Sequence, residues 1–264
     1  MVIEYIIMVI IGLFGSFFSG LLGIGGAIIN FPLLLYIPEW FGFTGFTPKE
    51  VASISMLQVF FASLSGMVSN RISTKKGPSL VHKKLVLQMG LATLIGSLIG
   101  SVSSLYLNSA SINMIYGVLA IIAAVIMVIP AKATAESKPV SEVVYNVLIA
   151  VSAAFLVGIV SGIVGAGGAF ILIPIMLIVL KIPTRITIAS SLAIVFLSAL
   201  GGVIGKLAAG GIPVWPAVFA VVGSLLGAPV GTYVSRRVNV KLLRYALVVL
   251  IAVTAVKIWM DILI

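Results

Sequence analysis

The chain has 264 residues, 61% of them apolar and only 8% charged, with a formal net charge of +10, 27 glycines and no cysteine. Soluble domains carry about 25% charged residues, so there is too little charge here to cover a water-exposed surface, and lipid must solvate most of it. The cysteine count excludes disulfides, thiol catalysis and cysteine-ligated metals, while the Lys and Arg residues fall mostly in short loops between apolar stretches, a placement that argues for a membrane and against nucleic acid.

The first apolar segment runs from about Val2 to Ile37, longer than one helix needs to cross a ~30 Å hydrocarbon core. Met1–Gly20 lacks a basic n-region and a cleavage site, so it reads as a span and not as a signal peptide. Spans follow at about Val51–Asn70, Leu85–Leu107 and Ile112–Ile129, with a basic loop Arg71–Lys84 after the first of them. Residues 131–142, with Lys132, Glu136, Lys138 and Pro139, form a linker. A second long segment, Val143–Leu180, then precedes spans at about Thr187–Ala209, Val214–Val234 and Leu242–Met260.

That layout is an internal repeat, expected to divide the chain into a first membrane repeat at 1–130, a linker at 131–142 and a second membrane repeat at 143–264. Ser19–Leu35 matches the segment beginning at Ser161 at 9 of 17 positions. Ser55 with Leu64-Ser65-Gly66 matches Ser191 with Leu200-Gly201-Gly202, and Gly96-Ser97-Leu98-Ile99-Gly100 matches Gly223-Ser224-Leu225-Leu226-Gly227. The loop Arg71–Lys84 and the loop carrying Arg236, Arg237, Lys241 and Arg244 should both be cytoplasmic. One crossing per segment would put them on opposite sides. The conflict disappears if each long segment goes in and comes back, breaking at Gly23–Gly26 and at Gly165–Gly168. Each half then makes an odd number of passes, so the halves are inverted and both termini lie outside. The expected fold is an all-α polytopic membrane protein of two inverted-topology repeats, each a broken or re-entrant long helical segment followed by three transmembrane helices.

Glycine in a helix interior costs about 1 kcal/mol relative to alanine, so each cluster is either a packing seam or a break near the midplane. A break would offer free N–H groups and half-helix N-termini suited to an anion. The acidic residues Glu4, Glu39, Glu50, Glu136, Glu142 and Asp261 all lie near segment ends or in loops, which argues against a cation transporter, a carboxylate-based proton pump and an intramembrane hydrolase. His82, the single histidine, sits in a basic loop and is expected to be solvated, without a catalytic or metal-binding role. The polar groups left in the spans are mostly uncharged: Asn30 after the first glycine cluster, Ser53, Ser55 and Gln58 on the next span, and Ser190 and Ser191 on its counterpart. Ser55 and Gln58 are three apart and share a helical face. These groups either bond between helices or line one cavity with the glycine breaks. The candidate substrate-binding set is Gly23, Gly25, Gly26, Asn30, Ser55, Gln58, Gly165, Gly167, Gly168, Ser190 and Ser191. Lys206 is expected to snorkel to the interface or to attract anions at a vestibule.

The paired Ser-Gly-x-x-Gly-x-Gly-Gly-Ala-x-x-x-x-Pro segments at Ser19–Pro32 and Ser161–Pro174 resemble the sulfite exporter TauE/SafE family of membrane permeases, and the resemblance covers nearly the whole chain. It implies transport of small sulfur-containing anions such as sulfite or organosulfonates across a prokaryotic cytoplasmic membrane. The expected partners are such an anion and the lipid bilayer, with a homodimer left open; no cofactor, metal or catalytic residue is expected. Alternatives are an anion channel of the same architecture and a non-transporting membrane scaffold subunit.

Overall fold

The computed structural model describes residues 2–22, 27–73, 81–128, 140, 143–234 and 256–260. All regular structure described there is helical: α1 (Val2–Leu22), α2 (Ala27–Trp40), α3 (Pro48–Ser73), α4 (Lys83–Ser103), α5 (Ser109–Val128), α6 (Val147–Val164), α7 (Ala169–Pro174) continuing as a π-helical turn (Ile175–Val179), α8 (Thr184–Ala209) and α9 (Val214–Val234). Among the described residues six helices (α1, α3, α4, α6, α8 and α9) are long and apolar enough to cross a membrane. Gly23–Gly26, residues 74–80 of the basic loop, most of the linker, the loop residues Arg236, Arg237 and Lys241, and most of the last expected span, including Arg244, lie outside the described residues.

Local sequence sets the helix ends. At the start of α3, Thr47 N and Oγ1 both donate to Glu50 Oε2, at 2.8 and 2.9 Å, and Pro48 occupies the first helical position, a capping-box arrangement. Asn108, Asn146 and His82 accept bonds from Ser111 N, Ile149 N and Leu85 N at the starts of α5, α6 and α4. Gly165 ends α6 with a left-handed φ of 78°.

Glycine contacts fix how the spans pack and which way they run. Gly223, Gly227 and Gly231 of α9 face the carbonyl oxygens of Val9, Leu13 and Phe17 of α1, in the same order, so the two helices are parallel. Gly96 and Gly100 of α4 face Phe155 O and Ile159 O of α6, again parallel. Gly90 and Gly201 pair α4 with α8 through Leu197 and Leu94, also parallel. Between α3 and α8 the order reverses: Gly202 faces Met56 and Gly66 faces Leu192. The short connection from α8 to α9 reverses the chain once more. Hence α1, α3 and α9 run one way, and α4, α6 and α8 the other. Each expected repeat-mate pair, α1 with α6, α3 with α8 and α4 with α9, is antiparallel.

Helices α1 and α2 form a hairpin: Ile7, Ile11, Phe14 and Phe18 face the same apolar groove as Ile29, Leu33, Ile37 and Phe41. In the first long segment α2 thus lies alongside α1. In the second, α6 is followed by the short α7 and its π-helical turn. Pro174 has no N–H and cannot continue the α ladder, and the backbone shifts to a Leu180 N to Ile175 O bond of 2.9 Å. The contacts equivalent to those of Gly96 and Gly100 are made by Gly227 and Gly231, one turn beyond the sequence match, because glycine recurs at every fourth position of α9 and either register presents a smooth face.

Small residues at these seams let backbones touch. A side chain at Gly100 or Gly227 would run into the facing backbone, whereas one at Gly66 would make only ordinary contacts of 3.6 Å or more. Gly100→Leu and Gly227→Leu are therefore expected to lower thermal stability in detergent by about 1–3 kcal/mol of overpacking. Gly66→Ala is expected to leave it unchanged.

Candidate functional site

The two 26-residue helices α3 and α8 cross at the centre of the molecule. Extending the match of Ser55 with Ser191 pairs Val59 with Val195 and Phe60 with Phe196. The two phenylalanine rings stack on each other, centroids 5.1 Å apart and planes 26° apart. Matched positions of the two halves thus touch each other directly at this crossing.

The second glycine cluster lies against the same point. Gly165, Gly167 and Gly168 all adopt left-handed φ, at 78°, 64° and 76°, a conformation glycine takes without steric cost. A Cβ on Gly165 would collide with Ala52 O, and one on Gly167 would lie 2.6 Å from Val59 Cγ1 and 3.3 Å from Val195 Cγ1. Ser55 Oγ donates to Gly165 O at 3.0 Å, tying the first half to the break of the second. Gly165 N and Ala166 N both donate to Ser161 O, but the N–H groups of Gly167 and Gly168 find no acceptor among the described residues. The cluster is a true interruption between α6 and α7, with unbonded backbone donors at mid-helix depth. Gly23, Gly25 and Gly26, its expected counterparts, lie outside the described residues.

Asn30 and Gln58 come together on the first-half side of the crossing. Both are fully buried. Gly15 of α1 makes room for them: a Cβ there would displace Asn30 Oδ1 and sit 3.4 Å from Gln58 Nε2. Gln58 Nε2 donates to Gly12 O at 3.3 Å. Among the described residues Gln58 Oε1 and both amide atoms of Asn30 have no partner, and neither does Ser16 Oγ on the same turn of α1 as Gly15. Gly15 and Ser16 were not among the residues expected from sequence. Their signal lay in comparing the copies for polar–apolar divergence: Gly15 and Ser16 align with Val157 and Gly158, Asn30 with Leu172, and Gln58 with Ile194.

The remaining candidates make other contacts. Ser190 accepts a 3.1 Å bond from His82 N, which places it beside the start of α4 and away from the crossing. His82 is half-buried and structural: its Nδ1 caps α4, and its ring packs edge-on against Tyr145 at 5.7 Å. Burial pushes the Tyr145 hydroxyl above its ordinary pKa, and that hydroxyl donates to Gln88 Oε1 at 2.7 Å. Ser191 Oγ donates within its own helix to Ile188 O, and Ser53 Oγ to Lys49 O.

Lys206 does not snorkel. It is 2% exposed, and its Nζ donates to Ser104 Oγ at 2.6 Å and Ile163 O at 3.3 Å. Lys49 Nζ donates to Leu105 O at 3.0 Å, so two ammonium groups flank one turn. Buried cations are normally matched by a carboxylate; none pairs with Lys206 among the described residues. No group of three or more His, Cys, Asp or Glu side chains that could hold a metal occurs among them either.

The profile of the family described as sulfite exporter TauE/SafE matches residues 8–258. The chain is 25% identical over 257 residues to the probable membrane transporter protein YunE of Bacillus subtilis, covering 90% of this chain and 91% of that protein. It is 28% identical to a probable membrane transporter protein of Xylella fastidiosa (94% and 92% covered) and 26% identical to one of Methanocaldococcus jannaschii (77% and 72% covered). No solved structure matches the chain.

Proposed function

From the fact that this chain belongs to the sulfite exporter TauE/SafE family, and is thus a multi-pass membrane transporter and not an enzyme, we propose that it carries small sulfur-containing anions, sulfite or organosulfonates, by alternating access at a site between two inverted repeats. The observation that carries this reading is the central crossing. There matched residues of antiparallel helices touch, a left-handed glycine break with unbonded N–H groups lies against them, and buried amides without partners stand beside it. Uncharged donors in a low-dielectric interior bind anions strongly. Antiparallel repeat-mates give the molecule two equivalent ways to pack about one axis, which rocking between two faces requires.

Orientation follows from charge. A Cβ on Gly66, near the end of α3, would lie 3.8 Å from Thr232 Oγ1, near the end of α9, so the chain leaves both helices on the same face. The basic residues of both loops follow those ends, and the positive-inside rule makes that face cytoplasmic. Lys49 and Lys206 then lie toward the outer face, where they would draw anions. Reporter fusions after Lys76 and after Arg237 should both read cytoplasmic; readings on opposite sides would break the inverted arrangement.

Substrate class is tested by thermal shift of purified protein with sulfite, thiosulfate, sulfate, organosulfonates and chloride. A ligand at 100 times its Kd adds about 2.7 kcal/mol, or about 5–10 °C for a chain of this size. At least one sulfur-containing anion should give that shift, with chloride giving none. No shift with any of them would favour a scaffold.

A further inference from the structure

The two halves differ where the first carries the buried amides of Asn30 and Gln58. Asn30 and Gln58 are buried against Gly15, and three of their four side-chain polar atoms have no partner among the described residues. At the aligned positions of the second half, Val157, Leu172 and Ile194 belong to one buried apolar cluster. The same fold, in the same chain, thus fills this place with aliphatic side chains on one side of the axis and with amides on the other. Each orphaned buried polar atom costs about 1–3 kcal/mol. Apolar packing is demonstrably available at the mates, so the amides are not there for stability.

Their chemistry limits what they can hold. A primary amide has one acceptor oxygen and one donor nitrogen, and turning it by 180° exchanges the two without changing the inventory. Gln58 gives one N–H to Gly12 O and keeps a free acceptor; Asn30 keeps a free acceptor and free donors. A fully deprotonated oxyanion offers only acceptors, and would face the two amide oxygens with like partial charge. A monoprotonated oxyanion brings one O–H for an amide oxygen and further oxygens for the Asn30 N–H and the Ser16 hydroxyl.

We propose that the Asn30–Gln58 pair is an off-axis site, present in the first half only, that takes the anion in its monoprotonated form. The proton then crosses with its anion, and coupling to the proton gradient needs no carboxylate in the spans. This rests on the anion-carrier reading above and narrows its cargo to oxyanions that keep a proton near neutral pH, sulfite rather than organosulfonates.

The test is binding by the full-length protein in detergent, followed by calorimetry across neutral pH. Three probes are used: sulfite, whose last proton titrates in that range; methanesulfonate, which carries no proton there; and sulfate, a dianion throughout. The titratable groups on elements packed around the pair are Glu4 and Tyr5 on α1, Tyr36 and Glu39 on α2, Lys49 and Glu50 on α3, Tyr116 on α5, Lys206 on α8, Tyr233 on α9 and Lys257 over the Tyr36 ring, with His82 behind α8. Titration of any of them would appear in methanesulfonate binding as well. The expected result is a sulfite Kd, in total sulfite, that weakens tenfold per pH unit once the monoanion becomes the minor form, with any methanesulfonate binding flat and sulfate not bound. Asn30→Leu and Gln58→Ile, the residues of the second half, should each weaken sulfite binding more than tenfold without lowering the unfolding temperature; a packing role would lower it. Binding that is flat with pH, or that strengthens as the dianion forms, would overturn the protonated-cargo proposal and leave the carrier reading standing. Unchanged binding in both variants would overturn the location. No binding of any of the three by the unaltered protein would overturn the proposal together with the reading it rests on.

Discussion

Gly167→Leu is expected to reduce anion flux in proteoliposomes by about 100-fold or more while membrane insertion and purified yield stay close to normal. Two costs combine at this residue. Its φ of 64° is one that residues with side chains rarely adopt, at about 1–3 kcal/mol. The leucine would also enter the space between Val59 and Val195 at the centre of the α3–α8 crossing, where overpacking adds about 1–3 kcal/mol. Neither cost touches the seams that hold the spans together, which lie at Gly96, Gly100, Gly223, Gly227 and Gly231. Gly167→Ala should be intermediate, because the backbone strain remains while its Cβ meets only the ends of the Val59 and Val195 side chains. Full flux through the leucine variant would remove the crossing from the transport path.

The second large effect is expected at Lys206. Lys206→Met should cut anion flux about tenfold and leave thermal stability equal or higher. Replacing a buried ion with an apolar side chain of similar volume removes its desolvation penalty and is often neutral or stabilising. Of the two groups that serve Lys206, Ser104 Oγ keeps its own donation to Ser101 O at 2.6 Å, while Ile163 O, in the last turn of α6, loses a donor, a smaller cost than desolvating the ammonium. What is lost is a fixed positive charge near Lys49. Flux should therefore also become less sensitive to ionic strength, because electrostatic attraction is the part that salt screens. Lys206→Arg keeps the charge and should keep more than half of the flux. A methionine variant with normal flux would make Lys206 a structural residue only.

The membrane class and six of the crossing helices were legible in the sequence, for physical reasons. Lipid demands long apolar runs, and caps such as Thr47-Pro48-Lys49-Glu50 and Gly165 mark where they begin and end. The glycine cluster at 165–168 was legible because only glycine serves three left-handed positions in a row of four. Other features were not. Ser190 shares its sequence context with Ser191, but one residue is about 100° around a helix, which turns Ser190 toward His82 and away from the crossing. The register of α4 against α9 was ambiguous because glycine at every fourth position fits one turn higher or lower. Lys206 looked like an interfacial lysine because its span ends just after it, and only the three-dimensional placement of Ser104 and Ile163 shows that it is buried. Gly15 carries no signal on its own; it becomes meaningful once Asn30 is seen to fill the space beside it.

Counterflow tests the central claim most directly. Proteoliposomes loaded with unlabelled sulfite and diluted into trace labelled sulfite should show a transient overshoot of label above equilibrium, because a carrier must return loaded to exchange. The overshoot should vanish in Gly167→Leu. Label that rises only to equilibrium, at a rate indifferent to the internal load, would contradict alternating access.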